Sequence, residues 1–450
     1  MLRLKSSWNF SINPVMKKLL IVGSVWPEPD SSAAGRRMLE LIELFHDNQW
    51  RIVFASAAAV TDKKADLAKF AVCEQAIIVN DVSFDRFIAA LQPDLVIFDR
   101  FFTEEQFAWR VEKVCPGAVR ILDSEDLHCL RYTRQRMLKQ MQKNQANELE
   151  RRHVGPVLAG QAELYAQMVE EDVTQREIAA IYRCDLTLII SHYEMRLLTK
   201  NFHVPQALLQ YCPFLSVKND FDTEMLGFFK RQHFIAIGNF RHEPNWDSVL
   251  YLKHSIWPLI KARLPEAEIH ICGAYAPLKA MQLHDQAQGF VLKGWIENAL
   301  IAMQSARVCL APLRFGAGVK GKLIDAMRAG TPNVTTLIGA EGLYDGQLWG
   351  GLIANDTSAI VDAAVRLYRG ESEWRSAQQH GLEILKRYFG QQNHGRLLLE
   401  RIAQLQTNLV FERKQNIVGI LLRHHFLKST HYMGRWIEEK NKNNSSKNQI

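Results

Sequence analysis

APLRFGAGVKGKLIDAMRAGTPNVTT (residues 311–336) carries a strand end, a glycine loop, a helix and the start of another strand in one run. The apolar segment RVCLAP (307–312) ends a strand, Gly316 and Gly318 open the loop, and a helix is predicted over 319–329. Gly330-Thr331-Pro332 stops that helix and returns the chain to a strand, PNVTT (332–336). Units of this kind build parallel sheets with helices on both faces.

The same alternation continues outward. Upstream lie HFIAIGN (233–239), a helix over 245–263, EIHICGA (268–274) and FVLKG (290–294). A second series begins at LLIVG (19–23) and the amphipathic stretch Gly35–Asn48, then RIVFAS (51–56), AIIVN (76–80) and a helix over 84–91. DLVIFD (94–99), VRILDS (119–124), a helix over Thr174–Tyr182 and the strand DLTLIIS (185–191) complete it. With 450 residues the chain exceeds one hydrophobic core. The expected architecture is therefore α/β, with two Rossmann-like domains. Residues 1–16 form an N-terminal extension, 17–213 the first domain, 214–231 a connection and 232–390 the second domain. Residues 391–450 form C-terminal helices and a basic tail, expected to be partly disordered from NKNNSSKNQI onward.

Composition sets the class. Hydrophobic residues at 47% and charged residues at 23% are ordinary for a globular chain. The seven cysteines are scattered, without a C-x-x-C pair, which fits a reducing cytoplasm. No run approaches the roughly 18–20 apolar residues of a membrane span. The net charge of +7 is unevenly spread: residues 411–450 hold eight Lys/Arg against three Glu, and 131–152 hold seven against two. Both basic stretches suit an anionic membrane surface, and a peripheral position at the inner face of the plasma membrane is the matching localisation. No nucleic-acid partner is expected.

Open α/β sheets bind ligands beyond the carboxyl ends of their strands. In the quoted run the glycines allow close backbone approach, the helix start offers free N–H groups, and Lys320 and Lys322 add charge. Together these suit a phosphate or diphosphate. A Walker A loop is absent, and no G-x-G-x-x-G follows the first strand, so NTPase, kinase and dehydrogenase readings lose ground.

Residues 311–343 closely resemble the donor-binding signature of glycosyltransferase family 4, a retaining family with the GT-B fold. The resemblance runs upstream through IGNFRHEPNWDSVLYLKHSIWPLI (237–260), EIHICGA and VLKGWIEN (291–298). It is looser in the N-terminal half, through PEPDSSAAGRRMLELIELF, LDSEDLHCLR and CDLTLIISHYE.

The resemblance implies a nucleotide-sugar donor, a sugar or lipid-linked acceptor, no cofactor and no essential metal, in cell-surface polysaccharide or lipopolysaccharide synthesis. It places Asp325 on the donor ribose, Lys320 and Lys322 on the diphosphate, and Gly316 and Gly318 against the donor. Trp295 would meet the base, whose identity is left open, while Glu341 would help line the pocket and Gly35 would face the phosphates. On the acceptor side it points to Arg36 and the polar cluster Asp123, Glu125, Asp126 and His128, with His128 near the reacting sugar. Lys322, Asp325 and His128 are the catalytic candidates. Three departures stand out: Asp325 and Ala317 occupy common glutamate positions, and Asn239 replaces a basic residue. Asp220-Phe221-Asp222 is a D-x-D pattern, but it falls in the connection. Alternative readings are a nucleotide-sugar epimerase of the same fold and a degenerate, non-catalytic transferase acting as a binding protein.

Overall fold

The computed structural model of the chain describes residues 16–215, 225–344, 346, 348–390 and 393–447. The D-x-D pattern lies outside them.

Seven parallel strands form the first sheet: β1 (Lys18–Gly23), β2 (Arg51–Ser56), β3 (Cys73–Ala76), β4 (Leu95–Asp99), β5 (Val119–Asp123), β6 (Leu186–Ile189) and β7 (Leu209–Tyr211). Their spatial order is β3-β2-β1-β4-β5-β6-β7. The second sheet holds β8 (Gln232–Ile237), β9 (Ile269–Cys272), β10 (Phe290–Gly294), β11 (Ala306–Ala311), β12 (Asn333–Thr335) and β13 (Gly351–Ile353). Its order is β10-β9-β8-β11-β12-β13, again parallel.

In each sheet the winding direction reverses beside the first strand, between β1 and β4 and between β8 and β11. Chains leaving such a pair of strands diverge to opposite faces and open a crevice. The loops after β1, β4, β8 and β11 all leave at carboxyl ends of strands, and the two crevices face each other.

The central strands read as unbroken apolar runs because both faces are covered. Leu20 and Val22 pack with Ile88, Phe107 and Val111. Leu19 and Ile21 face Met38, Ile42 and Phe45 of the helix Ala33–Asp47. The same face buries Leu398, Ile402 and Leu405 of the helix His394–Gln415, so the chain returns from the second domain to roof the first. The helix Ile417–Lys447 follows and packs on Phe101–Val114 and Asp172–Arg183 of the first domain. The tail expected to be partly disordered is thus helical as far as Lys447.

AIIVN (76–80) shares only Ala76 with its strand, which ends there. The strand β3 sits at the sheet edge with three of its four residues exposed, so burial imposes no apolar pattern on it.

Candidate active site

A cavity of about 770 Å³ fills the space between the two crevices. Its floor on the second-domain side is the quoted loop and the helix Gly321–Arg328. Gly316 and Ala317 line it directly. Gly318 instead turns the chain at φ +63, donates its N–H to Glu194 Oε1 at 2.9 Å, and leaves no room for a Cβ, which would sit 2.8 Å from Asp126 Cβ. Its smallness serves contact between domains.

Lys320 and Lys322 flank the helix start. Lys322 Nζ donates to Asn245 Oδ1 at 2.7 Å, and Asn245 in turn donates to the Asn239 carbonyl at 2.9 Å. Lys320 Nζ donates to the Gly318 carbonyl at 2.9 Å. Burial pushes both ammonium groups down to about 8, offset for Lys320 chiefly by Glu341 and for Lys322 by Cys309. Neither forms a salt bridge among the described residues. Two desolvated cations outside any such ion pair gain most from an arriving anion.

Asp325, one helical turn further, is already engaged. Arg36 of the first domain reaches across the cleft to it at 2.5 Å, and Arg328 lies 3.6 Å away on its own helix. The approach is tight, since a Cβ on Gly321 would lie 2.6 Å from Ala33 Cβ. Ser31 to Ala34 and Arg36 line the cleft, but Gly35 does not. A Cβ on Gly35 would strike the Glu28 carbonyl at 2.4 Å, so this glycine lets the loop after β1 fold onto the first turn of its helix. Ser32 caps that turn by accepting from the Gly35 N–H at 3.0 Å.

The polar cluster after β5 divides. Asp123 is fully buried against Arg37 at 2.9 Å and does not reach the cleft. Arg37 also donates to the carbonyls of Cys212 and Pro213, tying the first helix to the segment that follows β7. Glu125, Asp126 and His128 do line the cavity. Burial alone would raise the Asp126 carboxyl, but Arg131 and His128 outweigh it and hold it below the usual carboxylate range. His128 begins the helix His128–Lys143, lies 3.6 Å from Asp126, and sits against the rings of Phe101 and Phe102. Burial pushes its imidazole down to about 3 despite Asp126, leaving it neutral.

Glu341 takes no part in the cleft wall. Both its oxygens accept from Arg134 of the first domain, at 2.7 and 2.8 Å, and Arg134 also donates to the Gly316 carbonyl at 2.8 Å. The pair braces the glycine loop from behind. Trp295 does border the cavity, half-exposed, with Lys63 Nζ 4.3 Å from its ring centre.

Several lining residues were not singled out from the sequence. Arg100 and Arg131 add first-domain charge, and Tyr275 donates to Glu28 across the cleft at 2.7 Å. Arg100 directly follows β4, so the strand-end rule applied to DLVIFD would have found it. Tyr275 and Glu28 are 247 residues apart, and no local pattern joins them.

Residues 231–370 match the family model of glycosyl transferases group 1. This region carries the glycine loop, both lysines and Asp325. Solved structures extend the likeness to both domains. Anabaena Alr3699/HepE in complex with UDP and glucose superposes with a TM-score of 0.60 at 9% identity, covering 86% of this chain and 99% of that one. Sucrose-phosphate synthase from Thermosynechococcus elongatus gives 0.59 at 12% identity, with 86% and 99% covered. The lipopolysaccharide outer core galactosyltransferase WaaB, in its apo form, gives 0.51 at 12% identity over the same shares. The fold is GT-B, with two facing Rossmann-like domains. No curated protein matches the chain in sequence. Among the described residues no three His, Cys, Asp or Glu side chains are grouped to hold a metal ion, and no helix is long and apolar enough to cross a membrane.

Proposed function

We propose that the chain is a retaining, metal-independent glycosyltransferase of family 4 that takes its sugar from a nucleotide-sugar donor. The observation that carries this reading is the pair of desolvated lysines at the start of Gly321–Arg328, neither in a salt bridge among the described residues, opening into the interdomain cleft. A donor diphosphate seated there would meet Lys320, Lys322 and the free N–H groups of the helix. Breaking the sugar–phosphate bond moves negative charge onto that diphosphate, and cations already in place stabilise it without reorganising. Asp325 would exchange Arg36 for the ribose hydroxyls, Trp295 would pack on the base, and neutral His128 would stand beside the reacting sugar. The acceptor, a sugar or a lipid-linked sugar of a cell-surface glycan, would enter from the side of Asp126 and Arg131.

Nucleotide release from a panel of UDP-, GDP- and ADP-sugars tests this. One donor should be turned over slowly, and Lys322→Ala should lower that rate by about 10²–10³-fold. Chelating divalent cations should leave it unchanged. Absence of both turnover and binding across the panel would sink the reading.

We further propose a peripheral position on an anionic membrane. The helix Ile417–Lys447 turns Gly419, Arg423, Gly434 and Glu438 inward and leaves Ile417, Val418, Leu421, Tyr432 and Trp436 exposed on its opposite face. An apolar stripe with aromatic residues and flanking lysines matches the headgroup boundary. The stretch 131–152 contributes less, because Arg131, Arg134 and Arg136 are engaged by Asp126, Glu341 and Glu171. The double change Leu421→Glu, Trp436→Glu should abolish flotation with phosphatidylglycerol vesicles. Equal flotation of both forms would remove the membrane assignment.

A further inference from the structure

A second cavity of about 560 Å³ lies where the two domains meet the returning chain, behind the glycine loop. It shares no lining residue with the cleft. The first domain supplies His192, Arg196 and Tyr211, the second supplies Tyr344, and the crossover between domains supplies Arg387 and His394. His192 stacks on Tyr211 with ring centres 3.9 Å apart, and His394 meets the same tyrosine edge-on at 5.3 Å. His394 is 5% exposed, and its Nε2 is buried without a hydrogen-bond partner among the described residues. A buried polar atom left open costs free energy until something bonds to it.

We infer that this cavity is a second ligand site, for a sugar ring carrying a phosphate or carboxylate. Aromatic faces interleaved with hydroxyl and imidazole groups suit a ring whose own surface alternates C–H and O–H. Burial keeps both imidazoles below their usual range, so the positive charge offered to a ligand comes from Arg196, whose forked donors match a planar or tetrahedral anion. The volume lies within the range of small-molecule sites. Glu341 also borders the cavity, and through Arg134 it reaches the Gly316 carbonyl of the glycine loop. Because the ligand would touch both domains and the segment joining them, its binding would bias the width of the main cleft. The site stands independently of the donor assignment.

Calorimetric titration of the full chain with glucose 6-phosphate, and with glucose, tests it. Saturable binding of the phosphate ester is expected, with glucose at least tenfold weaker. Arg196→Glu, an exposed position, should weaken it at least tenfold at an unchanged melting temperature, and Lys322→Ala should leave it intact. A tetrasaccharide containing glucuronate forms the other arm: tighter binding of it assigns the site to the glycan, tighter binding of glucose 6-phosphate to a free sugar phosphate. Binding of neither overturns the inference. So does binding of the phosphate ester that Lys322→Ala removes and Arg196→Glu spares, since that would place the ester in the main cleft.

Discussion

Lys320 and Lys322 were legible as residues, but their state was not. A sequence shows two lysines beside two glycines; it does not show that burial will desolvate both and leave neither in a salt bridge among the described residues. Their lowered pKa has a definite sign. Both folded values, about 8, lie below the unfolded value of 10.5, so the unfolded chain binds more protons between those limits. The lysines therefore cost stability in full below pH 8, and that cost is relieved as pH rises toward 10.5. A diphosphate reverses the balance by favouring the charged forms. At pH 8 each lysine is about half protonated, so UDP binding should take up roughly one proton in total. Titration calorimetry in buffers of different ionisation enthalpy measures this uptake. Uptake near zero would mean that the diphosphate does not meet these two groups. Asp123 shows the opposite limit of reading residues in isolation. A carboxylate in a polar strand-end cluster looks available, yet Arg37, 86 residues away, takes it into the core.

The elements were legible wherever burial writes a pattern. The central strands announced themselves as apolar runs, and the helix Ala33–Asp47 as an amphipathic stretch with a serine at its cap. Cross-domain contacts leave no such trace: Arg134 and Glu341 are 207 residues apart and each looks like surface charge. Glycines carry part of the missing information, but their reasons differ and need coordinates. Gly318 is required by its left-handed backbone, whereas Gly321 has an ordinary helical setting and is small only because Ala33 lies against it. Gly321→Val should thus leave the helix and the fold intact while holding the domains apart. A displacement of about 1 Å at reacting groups costs on the order of 10²-fold in rate. The expected result is a kcat lowered by that factor with a melting temperature within a few degrees of the parent. A parent-like kcat would show that the observed approach of Ala33 to Gly321 is not the working geometry.

On the scale of the whole molecule, the two domains share one C-terminal roof. Leu398, Ile402 and Leu405 complete the first domain's core from beyond the second domain, so the first domain does not finish at residue 213. The last helix is held differently, by close packing and charge. A Cβ on Gly419 would lie 2.3 Å from the Tyr182 carbonyl, and one on Gly434 would lie 3.2 Å from the Trp109 ring. Between these contacts Arg110, 1% exposed, joins Asp85 at 2.7 Å and Glu438 of the last helix. Removing one partner of a buried pair costs about 3–5 kcal/mol when the other is left alone. Here Asp85 stays with Arg110, so Glu438→Ala should cost about 2 kcal/mol, charged almost entirely to the docking of the last helix. Amide exchange over 417–440 should then accelerate by about 30-fold while β1 and β4 keep their protection. Acceleration throughout the first domain would instead make this helix part of the domain's cooperative core, and the apolar stripe on its outer face would be fixed in place rather than free to detach toward a membrane.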